Sequence, residues 1–98
     1  MLLIDSCKIE TERGFEIVYL FNNGTIRRAM HLSDVDDWRV DPPTDWVTFP
    51  PIPQGSPRKG VVLLGLRRSM IVQCDDGSLW QWLFGYTDWY PLSSAPWD

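Results

Sequence analysis

The sequence predicts an all-β fold made of two four-stranded antiparallel units. Short stretches rich in Ile, Val, Leu and aromatic residues recur along the 98-residue chain, and two of them end in the turn sequences Asn22-Asn23-Gly24 and Asp75-Asp76-Gly77. No window carries an apolar stripe at helical spacing. Eight prolines and seven glycines would interrupt any long helix. Strands joined by tight turns are therefore the expected elements.

The expected strands follow from apolar composition and from the turns that bound them. In each turn Gly supplies a positive φ and the Asn or Asp before it tolerates one, which is the chemistry of a tight hairpin. The predicted strands are Phe15 to Phe21, Thr25 to Met30, Gly60 to Leu66, Met70 to Cys74 and Ser78 to Phe84, with Leu2 to Ile9 ahead of the first hairpin. The segments Asp45 to Pro50 and Asp88 to Leu92 close the two units.

The order of these segments indicates an internal repeat. Ile17-Val18 leads through Asn23-Gly24 to a Trp46 segment, and Ile71-Val72 leads through Asp76-Gly77 to a Trp89 segment. A four-strand unit of about 45 residues has the size of a β-propeller blade. We therefore expect one domain over residues 1–98, made of blade-like units 1–53 and 54–98, with an inserted loop at 31–44 in the first.

The stretch from Asp45 to Trp89 resembles kelch-type blade sequence. It contains a Trp strand, Pro-Pro-Ile-Pro, Arg58, the apolar strand Val61 to Leu64, an Asp-Gly turn, an aromatic third strand and a second Trp. The kelch glycine doublet is replaced by Gln73 and Cys74. The layout is also similar to small bacterial and fungal lectins with two blades per chain, but Ile17 and Arg28 occupy the places of their sugar-binding Arg and Glu. The kelch resemblance implies protein binding, and the lectin resemblance implies an oligomeric sugar binder.

Two blades cannot close a ring, because each blade needs a neighbour on both faces. The sequence thus predicts a homo-oligomer, with a trimer of six blades favoured over a tetramer of eight. The alternative is a single-chain β-sandwich or half-barrel.

Four of the six tryptophans carry specific expectations. Trp46 and Trp89 follow an Asp at equivalent places in the repeat and are expected to pack in the core. Trp80 and Trp82 are two residues apart, so a strand points both to one face. They either pack in the core or form a platform for a carbohydrate or a small anionic ligand, together with Arg27 or Arg28.

The inserted loop is the predicted partner-binding site. Loops on a rigid scaffold often carry recognition, and one Trp among acids resembles an interface anchor with a polar rim. The proposed contact residues are Trp38, Asp34, Asp36, Asp37 and Arg39. The alternative is a solvated connection. The Gly and distal Glu of a calcium loop are missing, so no metal site is expected.

Catalysis, membranes and nucleic acid are disfavoured by the sequence. It has no nucleophile-elbow, Walker or dinucleotide motif, so we expect no enzyme, no catalytic residues and no cofactor. It lacks a long apolar run and a signal peptide, and Cys7 and Cys74 are expected to be buried free thiols, which favours a cytoplasmic protein, with a disulfide as the alternative. Thirteen Asp and Glu against nine Lys and Arg argue against direct nucleic-acid binding.

Three function hypotheses follow. The first is a non-catalytic binding module that engages a protein partner through loops on a β scaffold. The second is an oligomeric carbohydrate or small-ligand binder. The third is a small acidic inhibitor that competes with nucleic acid for a basic protein surface.

Overall fold

The computed structural model contains eight strands and describes residues 1–11, 14–31, 39, 42–53, 59–83 and 85–93. The strands of the first half are β1 (Leu3–Thr11), β2 (Gly14–Phe21), β3 (Ile26–His31) and β4 (Thr44–Thr48). Those of the second half are β5 (Gly60–Gly65), β6 (Ser69–Cys74), β7 (Leu79–Leu83) and β8 (Tyr90–Leu92). The all-β prediction is confirmed, and the described part of the chain contains no helix.

The strands form two separate antiparallel sheets of four. The first sheet has the order β1-β2-β3-β4 and the second has the order β5-β6-β7-β8, so each sheet follows the chain without a crossover. Neither sheet closes on itself, because the first and last strands of each stay at its edges. Two four-stranded antiparallel units were expected from the sequence, and the structure contains them.

The two predicted hairpins form at the predicted turns. Gly24 and Gly77 each adopt a φ of 86°, a left-handed conformation that costs glycine little. The Gly24 amide donates to the Phe21 carbonyl oxygen at 3.0 Å, and the Gly77 amide donates to the Cys74 carbonyl oxygen at 2.9 Å. The side chains of Asn23 and Asp76 accept hydrogen bonds from the backbone two residues ahead, which fixes both turns.

The two sheets pack through their first strands, β1 and β5, which approach closely. A Cβ atom added at Gly65 would lie 2.8 Å from the Cβ of Cys7, so only glycine allows this spacing. The Asp5 carboxylate accepts a hydrogen bond of 2.9 Å from the Leu63 amide in the opposite sheet. The Glu10 amide donates to the Arg67 carbonyl oxygen at 3.0 Å. Polar links at both ends of β1 therefore set the position of one sheet against the other.

The core lies between the sheets and draws on both. We call the sheet faces that enclose it the inner faces and the opposite sides the outer faces. Successive residues of a strand alternate between them. The buried residues of the core cluster are Ile9, Val18, Leu20, Ile26, Phe49, Ile52, Leu63, Met70, Val72, Cys74, Trp80, Trp82 and Trp89, with Cys7 packed against them. Cys7 and Cys74 are free, as expected from the sequence.

An aromatic cluster closes one side of the core. The ring of Phe49, just after β4, meets Trp82 edge-to-face with centroids 4.8 Å apart and lies 5.8 Å from Trp89. Trp82 and Trp89 meet at 5.1 Å, also near an edge-to-face angle. Such arrangements add about 0.5–1.5 kcal/mol each beyond the burial of area. The segment that leaves the first sheet is thus held by the second.

Candidate functional site

The predicted aromatic platform lies inside the core. Trp80 and Trp82 are 6% and 7% exposed, and both belong to the inner face of the second sheet. The Trp80 indole N–H donates to the Ser78 hydroxyl at 3.3 Å. Of the two alternatives for these tryptophans, packing in the core is therefore the one that the structure contains. A ligand at either ring stays a prediction and would have to reach a buried surface.

The two candidate arginines point to opposite sides of the first sheet. Arg28 pairs with Val18 and so lies on the inner face, where its guanidinium contacts the Glu16 carboxylate at 3.3 Å and lies 5.4 Å from the centroid of Phe49. Arg27 pairs with Tyr19 on the outer face. Arg28, Trp80 and Trp82 thus share the inner side, whereas Arg27 is separated from them by the thickness of the sheet.

The predicted partner-binding loop falls mostly outside the described residues. This applies to Trp38, Asp34, Asp36 and Asp37, so their proposed role stays a prediction, as does the inhibitor hypothesis that rests on these acids. Arg39 is described as an exposed turn residue.

The structure instead places an exposed aromatic group on the outer face of the first sheet. Trp46 is 47% exposed, and its ring stacks on Tyr19 with centroids 5.3 Å apart. Arg27 lies between Tyr19 on β2 and Thr48 on β4 in the same row of the sheet. We call Tyr19, Arg27, Trp46 and Thr48 the Trp46 face. The prediction that Trp46 packs in the core is wrong for this structure, since the second sheet covers only the inner face of the first.

A local irregularity in β4 aims Trp46 outward. The register between β3 and β4 shifts between Arg28 and Met30, which leaves Asp45 and Trp46 opposite the single residue Ala29. Asp45 adopts a φ of 56°, a left-handed conformation that Asp tolerates better than most residues. Such bulges redirect side chains at sheet edges. Trp46 therefore points to the same side as Ala29 and Arg27.

On the Trp46 face, one buried polar atom has no partner among the described residues. The Nε atom of Arg27 is buried and has no hydrogen-bond acceptor among the described residues. Tyr19, which pairs with Arg27 on the neighbouring strand, is 6% exposed, and burial raises the pKa of its hydroxyl. A buried donor without an acceptor costs about 1–3 kcal/mol. An acceptor brought by a partner would remove this cost, and aromatic residues together with Arg are the residues enriched in protein interfaces.

A second exposed surface lies on the outer face of the second sheet. Val62, Leu64, Leu83 and Tyr90 are all more than a third exposed, and Tyr90 reaches 58%. The register joins Leu64 to Ile71, Ile71 to Gln81 and Gln81 to Tyr90 in one row across the four strands. We call Val62, Leu64, Gln73, Gln81 and Tyr90 the Leu64 face. It is an apolar surface that carries two half-buried amides.

The thiol of Cys7 is not activated as a nucleophile. Burial, with a smaller contribution from the charge of Asp5, raises its pKa from 9.0 to about 11. A thiol nucleophile needs a lowered pKa, so this cysteine is suited to packing. Among the described residues no group of three or more His, Cys, Asp or Glu side chains is placed to hold a metal ion. Their structure also has no helix of the length and apolar character needed to cross a membrane.

Comparison with protein-family models, with curated proteins and with solved structures gave no match. The resemblance to kelch and lectin blades therefore stays a prediction. Sequence reasoning missed Trp46 as a surface residue. Two units packed on each other leave one face of each without a partner, so the repeat indicated that one of the two matching tryptophans is exposed but did not indicate which.

Proposed function

We propose that the protein is a non-catalytic binding module that engages a protein surface through its rigid β scaffold, with the Trp46 face as its main contact. The observation that supports this most directly is the combination, on one sheet face, of a half-exposed Trp46 with a buried Nε of Arg27 that has no acceptor among the described residues. An indole that is already stacked on Tyr19 loses little side-chain entropy on binding. A partner that supplies a carbonyl or carboxylate oxygen would satisfy the guanidinium at the same time.

The rest of the described molecule is consistent with binding without chemistry. The raised pKa of Cys7 keeps its thiol protonated at neutral pH, and both cysteines are free thiols, which fits the proposed cytoplasmic location. The inserted loop that contains Arg39 is the proposed second contact on the same scaffold.

A carbohydrate or small anion is the second candidate. The observation in its favour is again Arg27, because a buried guanidinium nitrogen beside an aromatic ring can bind an anionic or hydroxyl-rich ligand. For this candidate function the ligand would bind at Trp46, and not at the buried Trp80 and Trp82 that the sequence indicated. Small ligands prefer concave sites, whereas the Trp46 face is part of an open sheet, so we favour a protein.

Site-specific photocrosslinking tests the proposal. A photoreactive phenylalanine analogue replaces Thr48 on the Trp46 face, and in a matched control it replaces Val47, which is exposed on the opposite side of the same strand. In cells that produce the chain, we expect a discrete protein adduct from position 48 that is lost in a Trp46→Ala background and is absent from position 47. No adduct from position 48, or the same adducts from both positions, would overturn the proposal.

A further inference from the structure

The hairpins of the two sheets repeat the same hydrogen bonds at a fixed spacing. Gly24 corresponds to Gly77, a shift of 53 residues, and both have a φ of 86°. The Phe21 amide donates to the Thr25 carbonyl oxygen as the Cys74 amide donates to that of Ser78, both at 2.9 Å. Each turn also bonds to the residue before the first strand of its sheet. The Asn22 amide donates to the Leu2 carbonyl oxygen at 2.8 Å, and the Asp75 amide donates to the Lys59 carbonyl oxygen at 3.0 Å.

The outer strands extend the correspondence. Leu3 in β1 pairs with Phe21, and Gly60 in β5 pairs with the matching residue Cys74. The register then shifts at the same place in both strands, between Leu3 and Asp5 and between Gly60 and Val62. In the last strands, Thr48 lies opposite Arg27 and Pro91 lies opposite Trp80. Two residues before these positions stand Trp46 and Trp89. The two tryptophans therefore occupy the same place in their sheets.

This correspondence shows that the sheets pack head to tail, meaning that the face one sheet buries in the core matches the outer face of the other. Core residues Val18, Leu20 and Ile26 of the first sheet match Ile71, Gln73 and Leu79 on the outer face of the second. Core residues Val72, Trp80 and Trp82 of the second sheet match Tyr19, Arg27 and Ala29 on the outer face of the first. Each sheet thus contributes a different face to the core. A sandwich with two-fold symmetry would bring matching faces together.

Among the described residues, no sheet packs on the outer face of either sheet, so head-to-tail packing leaves one face of each kind without a partner sheet. The Trp46 face matches the face that the second sheet buries, and the Leu64 face matches the face that the first sheet buries. Two uncovered faces of a heterologous interface fit each other when they come from different copies of the chain. The junction inside the chain is therefore a template for a junction between chains.

We infer that the Trp46 face of one copy binds the Leu64 face of a second copy, and that this head-to-tail contact repeats until a ring closes. This inference rests on the proposed function and names its partner. Three chains would supply six sheets, a number common in closed rings of blades. The trimer expected from the sequence is therefore the assembly to test first.

Specific contacts follow from the template. Inside the chain, the Trp89 indole N–H donates to the Pro50 carbonyl oxygen at 2.8 Å, and its ring packs on Phe49. The positions that match Phe49 and Pro50 in the second sheet are Leu92 and Ser93. Between chains, Trp46 would thus pack on Leu92 and donate to the Ser93 carbonyl oxygen of the next copy.

The Leu64 face also offers partners for Arg27. Gln73 and Gln81 are half-buried on this face, and their side-chain carbonyl oxygens can accept hydrogen bonds. One such bond would satisfy the buried Nε of Arg27, which has no acceptor among the described residues of its own chain. By the same template, apolar contact from Leu92 would cover Trp46. A second copy thus meets both the apolar and the polar requirements of the Trp46 face.

Light scattering coupled to size-exclusion chromatography over a dilution series is the first test. We expect the wild-type chain to have about three times the monomer mass of 11.4 kDa. Trp46→Ala should give a monomer, whereas the matched control Val47→Ala should keep the oligomer. Cooperative urea unfolding of each variant checks that it is folded. A folded wild-type monomer at every concentration would overturn the inference.

Mixing two defective chains tests the head-to-tail geometry. Trp46→Ala removes one face and Leu64→Lys weakens the other, so at a concentration at which the wild-type chain is assembled each variant alone should be mostly a monomer, while their mixture retains one intact junction and should give a heterodimer of twice the monomer mass. Assembly of the Leu64→Lys chain alone as strong as that of the wild-type chain, or no heterodimer in the mixture, would overturn this geometry. The position-48 crosslink decides the proposed function separately, because an adduct with a different protein would support that function while the present inference fails.

Discussion

The indole N–H of Trp89 donates a 2.8 Å hydrogen bond to the carbonyl oxygen of Pro50, which joins the second sheet to the segment that leaves the first. Trp89 is 5% exposed, and its ring is held by Phe49 and Trp82. Trp46, at the matching place in the first sheet, stacks on Tyr19 and is 47% exposed. The same residue type at the same strand position thus has two environments, and these predict different responses to substitution.

Substitution of Trp89 should reduce stability in two steps. Trp89→Phe keeps a ring but removes the donor to Pro50, which should cost about 1–3 kcal/mol of unfolding free energy. Trp89→Ala also opens a cavity in the aromatic cluster and should cost about 3–5 kcal/mol. Urea unfolding gives both values.

The matched control is Trp46→Phe, measured at a protein concentration at which the chain is monomeric. Because Trp46 is half-exposed, this substitution should change the unfolding free energy by less than about 1 kcal/mol. Equal losses at the two tryptophans would contradict the difference in their environments.

The close approach of β1 and β5 predicts that replacing Gly65 destabilises the fold. A Cβ at this position would lie 2.8 Å from the Cβ of Cys7, an atom fixed to the backbone, so the strands would have to separate. Gly65→Ala should destabilise the chain by about 1–3 kcal/mol, although the residue is exposed. Equilibrium unfolding measures the change.

A double-mutant cycle identifies steric contact as the cause. Cys7→Gly removes the opposing Cβ, so Gly65→Ala should cost clearly less in that background than in the wild-type chain. Cys7→Ala, which keeps the Cβ, is the control and should give no relief. If all three backgrounds showed the same cost, the contact with Cys7 would not be its source.

The raised pKa of Cys7 predicts a loss of stability at alkaline pH. The thiol ionises at about 11 in the folded chain and near 9.0 when exposed, so above pH 9 the unfolded state has released its proton while the folded state still holds it. Stability contributed by the neutral thiol is therefore fully present below pH 9 and falls as pH rises towards 11. Tyr19, whose pKa burial also raises, should contribute a loss of the same sign.

Urea midpoints measured from pH 7 to pH 10.5 test this behaviour. The wild-type midpoint should fall over this range, and the fall should be smaller in Cys7→Ala. The folded thiol should also react slowly with a thiol reagent at pH 8 and reach the rate of a free thiol only in urea. A Cys7 that labels rapidly in the folded chain would contradict its burial.

The sequence predicts local structure well here because the turns have specific chemistry. Gly24 and Gly77 lie where the hairpins need positive φ, and alternation correctly places Trp80 and Trp82 on one face. It could not separate the fate of Trp46 from that of Trp89, because local sequence does not record which sheet face finds a partner. That depends on the close contact of Gly65 with Cys7 and on the bulge at Asp45, which arise from tertiary packing.

The residue pair Arg27 and Arg28 shows the same limit. Adjacent residues of a strand point to opposite faces, so at most one of them could join a ligand site with Trp80 and Trp82. Choosing between them requires the register of β2 and β3, which places Arg28 beside Val18 and Arg27 beside Tyr19. The sequence grouped them because both are basic, whereas the structure gives Arg28 an ion pair with Glu16 and places Arg27 on the outer face, between Tyr19 and Thr48.

The last prediction concerns charge at the proposed junction. Gly65 matches Lys8 and Leu64 matches Cys7, so the contact of Gly65 with Cys7 inside the chain places Lys8 of one copy beside Leu64 of the next. Leu64→Lys brings like charges together there, whereas Leu64→Glu brings opposite charges together. We expect assembly of the Lys variant to be at least about tenfold weaker, or about 1.4 kcal/mol, than that of the Glu variant.

Salt separates this effect from simple loss of apolar contact at position 64. Raising the ionic strength screens exposed charges, so it should strengthen assembly of Leu64→Lys and weaken that of Leu64→Glu. Sedimentation equilibrium at low and high salt measures both constants on the same two proteins. Because each variant loses the same leucine, equal constants at low salt would mean that Lys8 does not face this position, and the proposed register of the junction would then be wrong.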